Sequence, residues 1–311
     1  MTSAVVFAYH NVGVRCLLTL LAREVDVSLV VTHRDNPNET IWFDGVRDAA
    51  IERGIAVIMP DDANDPALLA AVESARPDFI FSFYYRHMLP PSLLALASRG
   101  AYNMHGSLLP KYRGRAPINW AIIHGETETG ATLHEMTAKP DAGTIVAQTA
   151  VPILPDDTAH EVFVKVTVAA EQTLWRVLPD LVEGRAPRLA NDLARGSYFG
   201  GRKPEDGRID WSASAAAIHN LVRAVAPPYP GATTFIDERA VVIERTRHVD
   251  AKPDGFPPPR TLMVDGERCI AVCGDGSALM IVRAHFDGRA IEGADLAALL
   301  GKGPHALGDA R

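Results

Sequence analysis

Short apolar runs alternate with stretches of helical spacing through the first part of the chain. Ala4-Val-Val-Phe-Ala8, Val27-Ser-Leu-Val-Val31, Ala56-Val-Ile-Met59 and Phe79-Ile-Phe-Ser-Phe83 are rich in β-branched and aromatic residues, as buried parallel strands are. Between them Arg15 to Arg23, Trp42 to Arg53 and Pro66 to Ser74 carry helical spacing. Strand, helix, strand repeated in this way predicts an open parallel α/β sheet with right-handed crossovers. Such a sheet binds its ligands beyond the carboxyl ends of the strands, so chemistry is expected just after each run. After the first run the chain reads Tyr9-His-Asn-Val-Gly13, not G-x-G-x-x-G, which argues against a nicotinamide dinucleotide.

The second part has another grain. Gly196-Ser-Tyr-Phe-Gly-Gly-Arg-Lys-Pro204 reads as a linker or surface loop, and a helix is expected from Ala213 to Val225. After Pro227-Pro-Tyr-Pro-Gly231 come short strand-like segments at Ala232 to Ile236, Ala240 to Arg247, Cys269 to Val272 and Leu279 to Ala284, parted by turn signals such as Asp275-Gly276. Short strands at this spacing suggest a small barrel or open β-domain. With 311 residues, two domains are the natural expectation, placed here at 1–200 and 201–311.

Charge and composition narrow the function classes. A formal net charge of -7 argues against a chain built mainly to grip nucleic-acid phosphates. Cys16, Cys269 and Cys273 are too few and too irregular for a disulfide framework, and clustered metal ligands are missing. The N-terminal Met1-Thr-Ser-Ala-Val-Val-Phe-Ala-Tyr-His10 does not read as a signal peptide. No run approaches the roughly 18 apolar residues of a spanning helix. The expectation is a cytoplasmic enzyme that needs no metal.

The most informative stretch is Ala101-Tyr-Asn-Met-His-Gly-Ser-Leu-Leu-Pro-Lys-Tyr-Arg-Gly-Arg-Ala-Pro117. If Tyr102 to Met104 ends a strand, Asn103 and His105 point the same way, because strand side chains repeat with period two. An amide and an imidazole on one face suit acyl transfer to an amine. The amide donates to the developing oxyanion, and the imidazole takes one proton and returns another near neutral pH. A nearby carboxylate would stabilise the imidazolium. Asp141, in the turn Thr137-Ala-Lys-Pro-Asp-Ala-Gly143 after the alternating Thr132-Leu-His-Glu-Met136, is the candidate. Taken alone, an Asn-x-His pair also reads as a hydrogen-bonded turn element, and an Asp before Ala-Gly as a turn former. His134 and His124 read as ordinary strand and helix residues.

Asn103-Met-His-Gly-Ser-Leu-Leu-Pro-Lys-Tyr-Arg-Gly-Arg-Ala-Pro117 resembles the signature of the folate-dependent formyltransferases. Val6-Phe-Ala-Tyr-His10, Phe79 to His87, Asn119-Trp120, Gly125-Glu-Thr-Glu-Thr-Gly130 and Asp141-Ala-Gly143 are similar to the formyltransferase half of the bifunctional enzyme of 4-amino-4-deoxy-L-arabinose formation for lipid A. The resemblance implies a Rossmann-like N-terminal domain, a smaller OB-like barrel domain, and Asn103, His105 and Asp141 as catalytic residues. It implies 10-formyltetrahydrofolate as co-substrate, with His87, Met88 and Leu89 along the pterin, Thr137, Ala138, Lys139, Pro140 and Asp141 closing over it, and Arg115 as a further contact. The implied acceptor is UDP-4-amino-4-deoxy-L-arabinose. Arg223 and Tyr229, in Asn220-Leu-Val-Arg-Ala-Val-Ala-Pro-Pro-Tyr-Pro-Gly231, are implied as candidates for the nucleotide-sugar surface. The sequence ends at Arg311 without the relative's decarboxylase domain, so a decarboxylase is expected on a separate polypeptide.

The closest rival is a methionyl-tRNA formyltransferase, whose family inserts a basic loop after the second strand. Here Thr32-His-Arg-Asp-Asn-Pro-Asn-Glu-Thr40 sets one Arg against Asp35 and Glu39, the wrong charge for phosphate. Other amino-sugar nucleotides stay open as acceptors. A non-catalytic folate or nucleotide module is argued against by the complete Asn103, His105 and Asp141 set.

Overall fold

The structure, a computed structural model, describes residues 1–37, 41–249 and 256–308. Asn38, Glu39 and Thr40, which close the segment weighed for tRNA, lie outside the described residues, as does Arg311. The chain forms two compact units. One comprises Met1–Pro117, Glu128–Pro152 and Phe163–Gly200; the other comprises Ile118–Thr127, Ile153–Val162 and Gly201–Arg311.

In order, the elements of the first half are β1 (Ser3–Ala8), α1 (His10–Ala22), β2 (Asp26–Val31), α2 (Val46–Ile51), β3 (Ala56–Ile58), α3 (Pro66–Ala75), β4 (Phe79–Phe83), α4 (Pro91–Leu94) and β5 (Gly100–His105). Then come β6 (Arg113–Gly114), α5 (Pro117–Ile123), β7 (Glu128–Glu135), β8 (Ile145–Pro152), α6 (Ala159–Val182) and β9 (Tyr198–Phe199). The main sheet has the order β3-β2-β1-β4-β5-β7-β8. Its first five strands are parallel, as the apolar runs predict, and β4 at the centre is buried along its whole length. β7 and β8 extend the sheet antiparallel. Strand order reverses between β1 and β4, the place where an open α/β sheet leaves a crevice at its carboxyl ends. Phe7, Ile80, Leu68 and Leu93, all at 1% exposure or less, anchor the core beneath it.

The second unit is built on α7 (Ala215–Val225), β10 (Ala232–Ile236), β11 (Arg239–His248), β12 (Thr261–Asp265), β13 (Arg268–Val272), β14 (Ala278–Phe286), β15 (Arg289–Glu292), α8 (Gly293–Leu300) and β16 (Pro304–Gly308). All pairings are antiparallel, in the order β11-β10-β16-β12-β13-β14, and β11 pairs again with β14 to close the barrel. β15 hangs on β14 as a hairpin. Trp211, fully buried, satisfies its indole N–H on Thr234 Oγ1 at 2.7 Å.

Two short segments from inside the first 200 residues, Ile118–Thr127 and Ile153–Val162, group with this unit. Residues of α7 brace these segments through polar contacts. Asn119 Nδ2 donates to the Ala224 carbonyl at 2.7 Å, and Arg223 donates to the Leu154 and Asp157 carbonyls. His219 Nε2 reaches the Pro155 carbonyl at 3.0 Å. Cys16, Cys269 and Cys273 are buried free thiols, and burial raises all three pKa values, to about 11 for Cys269 and about 12 for Cys273. That leaves them mostly protonated and poor nucleophiles near neutral pH. Among the described residues no helix is long and apolar enough to cross a membrane.

Candidate functional site

The carboxyl end of β5 presents Asn103 and His105 on one face, as period two requires. Antiparallel pairing sets His134 of β7 directly opposite Asn103, and Thr132 opposite His105. Side chains in that relation are neighbours. Asn103 Nδ2 donates to His134 Nε2 at 3.1 Å, while His134 Nδ1 meets the Glu135 carbonyl at 2.8 Å. A carbonyl only accepts, so Nδ1 carries the proton and Nε2 offers its lone pair to the amide. His134 is therefore no ordinary strand residue; it holds the Asn103 amide in one orientation.

His105, 6% exposed, is fixed by the loop that follows it. Its Nε2 donates to the Tyr112 carbonyl at 2.8 Å. Ser107 Oγ donates to the Lys111 carbonyl and Thr132 Oγ1 to the Ser107 carbonyl, each at 2.6 Å, which ties the loop to itself and to β7. Gly106 is needed where the loop leaves β5, because a Cβ there would run into the Tyr84 hydroxyl. With Nε2 committed to Tyr112, Nδ1 is the remaining ring nitrogen, and it faces Asp141 Oδ1 at 3.6 Å.

Asp141 arrives from the turn after β7. Its φ of 49° is left-handed, a conformation Asp tolerates, and it aims the carboxylate at β6. Oδ2 accepts the Gly114 amide at 2.8 Å, and Oδ1 lies 3.5 Å from His134 Nε2. Asn191 clamps the turn by donating to the Asp141 and Gly143 carbonyls, both at 3.0 Å. Burial by itself would raise the Asp141 carboxyl. The charge available at His105 and the Gly114 amide act against burial, and the carboxyl is held well below the usual carboxylate range. Gly114 has φ 95°, and a Cβ on it would collide with the Phe199 carbonyl of the paired β9. The signature's second glycine thus lets β6 pair with β9 while its amide holds Asp141.

The structure therefore brings Asn103, His105 and Asp141 together and adds His134 and Asn191, which the sequence reading passed over. Of the residues considered for the donor, His87 and Met88 are exposed at the carboxyl end of β4, and Leu89 is buried in the core below. His33 Nε2 accepts the Arg86 amide at 2.9 Å and its ring stacks on Tyr85, which fixes the start of that segment. Burial, then the neighbouring His87 and Arg86 charges, lower the His33 pKa to about 4, in keeping with an unprotonated acceptor. Thr137, Ala138 and Lys139 are exposed, with Thr137 Oγ1 donating to the Lys139 carbonyl at 2.9 Å; Pro140 is half-buried. Arg115 is exposed and tied through its amide to the Phe199 carbonyl. Arg223 is buried, with Nε donating to Asn220 and Nη1 to the Leu154 and Asp157 carbonyls, and Tyr229 packs against the core of the second unit. Among the described residues there is no group of three or more His, Cys, Asp or Glu side chains able to hold a metal ion.

Solved structures share this architecture at low identity. The N-formyltransferase of Helicobacter canadensis, in complex with folinic acid and dTDP-3-aminofucose, aligns with a TM-score of 0.69 and 19% identity, over 90% of this chain and 99% of that one. A sugar 3N-formyl transferase, WlaRD, solved in the presence of dTDP and 5-N-formyl-THF, gives 0.71 and 18% over 93% and 99%. A sugar N-formyltransferase from a Shewanella species gives 0.63 and 20% over 81% and 98%. Residues 14–178 match the formyl transferase family and residues 202–299 match the formyl transferase C-terminal domain, so the chain belongs to the formyl transferase family and is a formyl-transferring enzyme.

Proposed function

We propose that this enzyme transfers a formyl group from 10-formyltetrahydrofolate to the amine of an amino-sugar nucleotide, with UDP-4-amino-4-deoxy-L-arabinose as the acceptor. The observation that carries the reading is the convergence of an amide, an imidazole and a buried carboxylate at the carboxyl end of β5. In this reading the amine attacks the formyl carbon and the Asn103 amide donates to the oxyanion that develops there. His105 Nδ1 takes the amine proton and returns one to the leaving nitrogen, and Asp141 stabilises the imidazolium in between. Folate ligands in two of the solved relatives support the donor, and the nucleotide and amino-sugar ligands there support the acceptor class.

Residues 1–200 would then hold the donor, with His87, Met88, Leu89, Arg115 and Thr137 to Asp141 as its contacts, in a cytoplasmic setting and without a metal. A different amino-sugar nucleotide is the second reading, favoured by the dTDP-3-aminofucose bound to the Helicobacter canadensis enzyme. An acceptor panel decides. With 10-formyltetrahydrofolate as donor, kcat/KM is measured for UDP-4-amino-4-deoxy-L-arabinose, a dTDP-3-amino sugar and methionyl-tRNA. The UDP sugar is expected to lead. A lead for the dTDP sugar replaces the acceptor, and a lead for methionyl-tRNA sinks the amino-sugar reading. Activity lost to a chelator and restored by a metal would overturn the metal-free part.

A further inference from the structure

Arg113 stands between the two backbone groups that hold the reacting side chains: the Tyr112 carbonyl accepts from His105, and the Gly114 amide donates to Asp141. It is 8% exposed, and its Nε is sealed from solvent without a hydrogen-bond partner. Among the described residues no carboxylate pairs with its guanidinium; the ring drawn to it is Tyr198, whose centroid lies 5.9 Å from Cζ. Asp141, next to Gly114, is turned to the two histidines instead. From Pro110 to Pro117 the chain carries Lys111, Arg113 and Arg115 and no acidic residue.

A buried cation without a counter-charge is costly, and a guanidinium cannot relieve the cost by losing its proton. A ring face near 6 Å returns little of it. We infer that Arg113 binds an oxyanion of a substrate, phosphate or carboxylate, whose charge completes the pair when the substrate arrives. The inference rests on the function proposed above, in which both substrates are anionic: the acceptor through its diphosphate, the donor through its glutamate carboxylates. The planar fork of a guanidinium matches either group with two parallel hydrogen bonds.

Arg113→Gln separates a ligand-binding role from a structural one. Without ligand the variant should melt at or above the wild-type temperature, because an uncompensated charge has been removed. Calorimetric titration of the whole chain with UDP should then show Kd weakened about tenfold to a hundredfold, the loss expected for a hydrogen bond to a charged group. Arg113→Lys should recover part of it, since a point charge lacks the fork. Folinic acid titrated in parallel identifies the source. Weakened UDP binding assigns the diphosphate, and weakened folinic acid binding alone assigns the carboxylate. An Arg113→Gln chain that binds both ligands as the wild type does overturns the inference, and so does one that melts well below it. A wild-type chain that binds neither ligand overturns the proposed function first, and is recognised from its own titrations.

Discussion

Replacing His134 by alanine should slow formyl transfer by about 10- to 100-fold while leaving KM for the donor unchanged. His134 is 2% exposed, and its one free lone pair holds the Asn103 amide at 3.1 Å; in the proposed mechanism the second Nδ2–H is then left for the oxyanion. The terminal torsion of an Asn side chain is broad, so its amide keeps one direction only while a partner fixes it. Full loss of an oxyanion donor costs about 10²- to 10³-fold in kcat. An amide that survives but turns freely loses only part of that, hence about 1.4–2.8 kcal/mol of barrier. The Glu135 carbonyl also loses its 2.8 Å donor, which should lower stability by about 1–3 kcal/mol. Steady-state kinetics at saturating donor, with thermal melting to show the variant folded, test the first step. The second step is a double-mutant cycle: because His134 acts through Asn103, His134→Ala should cost nothing more in an Asn103→Ala background. A folded His134→Ala enzyme with wild-type kcat would refute the orienting role. Additive losses in the cycle would show that His134 acts on the reaction by another route.

Asn103→Ala should lower kcat by about 10²- to 10³-fold and His105→Ala by about 10²- to 10⁴-fold, with folinic acid binding largely kept; a folded variant near the wild-type rate removes that residue from the chemistry. Asp141→Asn should depress the rate, since an amide brings no charge to the imidazolium. Its stability should also depart from the wild type in a pH-dependent way: a depressed carboxyl stabilises the fold above its unfolded pKa of about 3.9 and loses that contribution as pH falls below it. Urea unfolding from pH 3 to 7 should therefore show the gap between the two proteins closing at the acid end. Gly114→Ala should cost both stability and activity, because the methyl meets the Phe199 carbonyl at a left-handed φ and displaces the amide that holds Asp141; an active, stable variant contradicts this. His33 has a lowered pKa, so the unfolded chain binds the extra proton between about 6.5 and about 4 and stability is lost as pH drops through that window; replacing His33 with Asn should flatten this slope.

What a local pattern can carry was legible. The buried parallel strands of the first unit announce themselves as apolar runs, and Asn103 and His105 share a face because period two is a property of one strand. The order of β16 was not legible: Pro304 to Gly308 has no strand-like composition and pairs because β10 and β12 would otherwise present open edges. α6 carried a signal the reading left unused, the Thr158-x-x-Glu161 capping box, in which Glu161 accepts the Thr158 amide at 2.7 Å.

The role of His134 depends on register, and register is where sequence reasoning loses the site. His134 meets Asn103 only because β7 runs antiparallel to β5 with those two residues opposed; a slip by one would turn His134 to the other face. Nothing within Thr132 to Met136 states that partner. Asp141 is the instructive contrast, since its two readings, turn former and charge carrier, are one physical fact. The left-handed φ that a Pro-Asp-Ala-Gly turn asks for is what swings the carboxylate onto the Gly114 amide, within 3.6 Å of both histidines. A side chain that forms the turn by its backbone and serves the site by its charge carries both signals at one position, so the bland reading and the functional one could not be told apart until β6 was in place beside it.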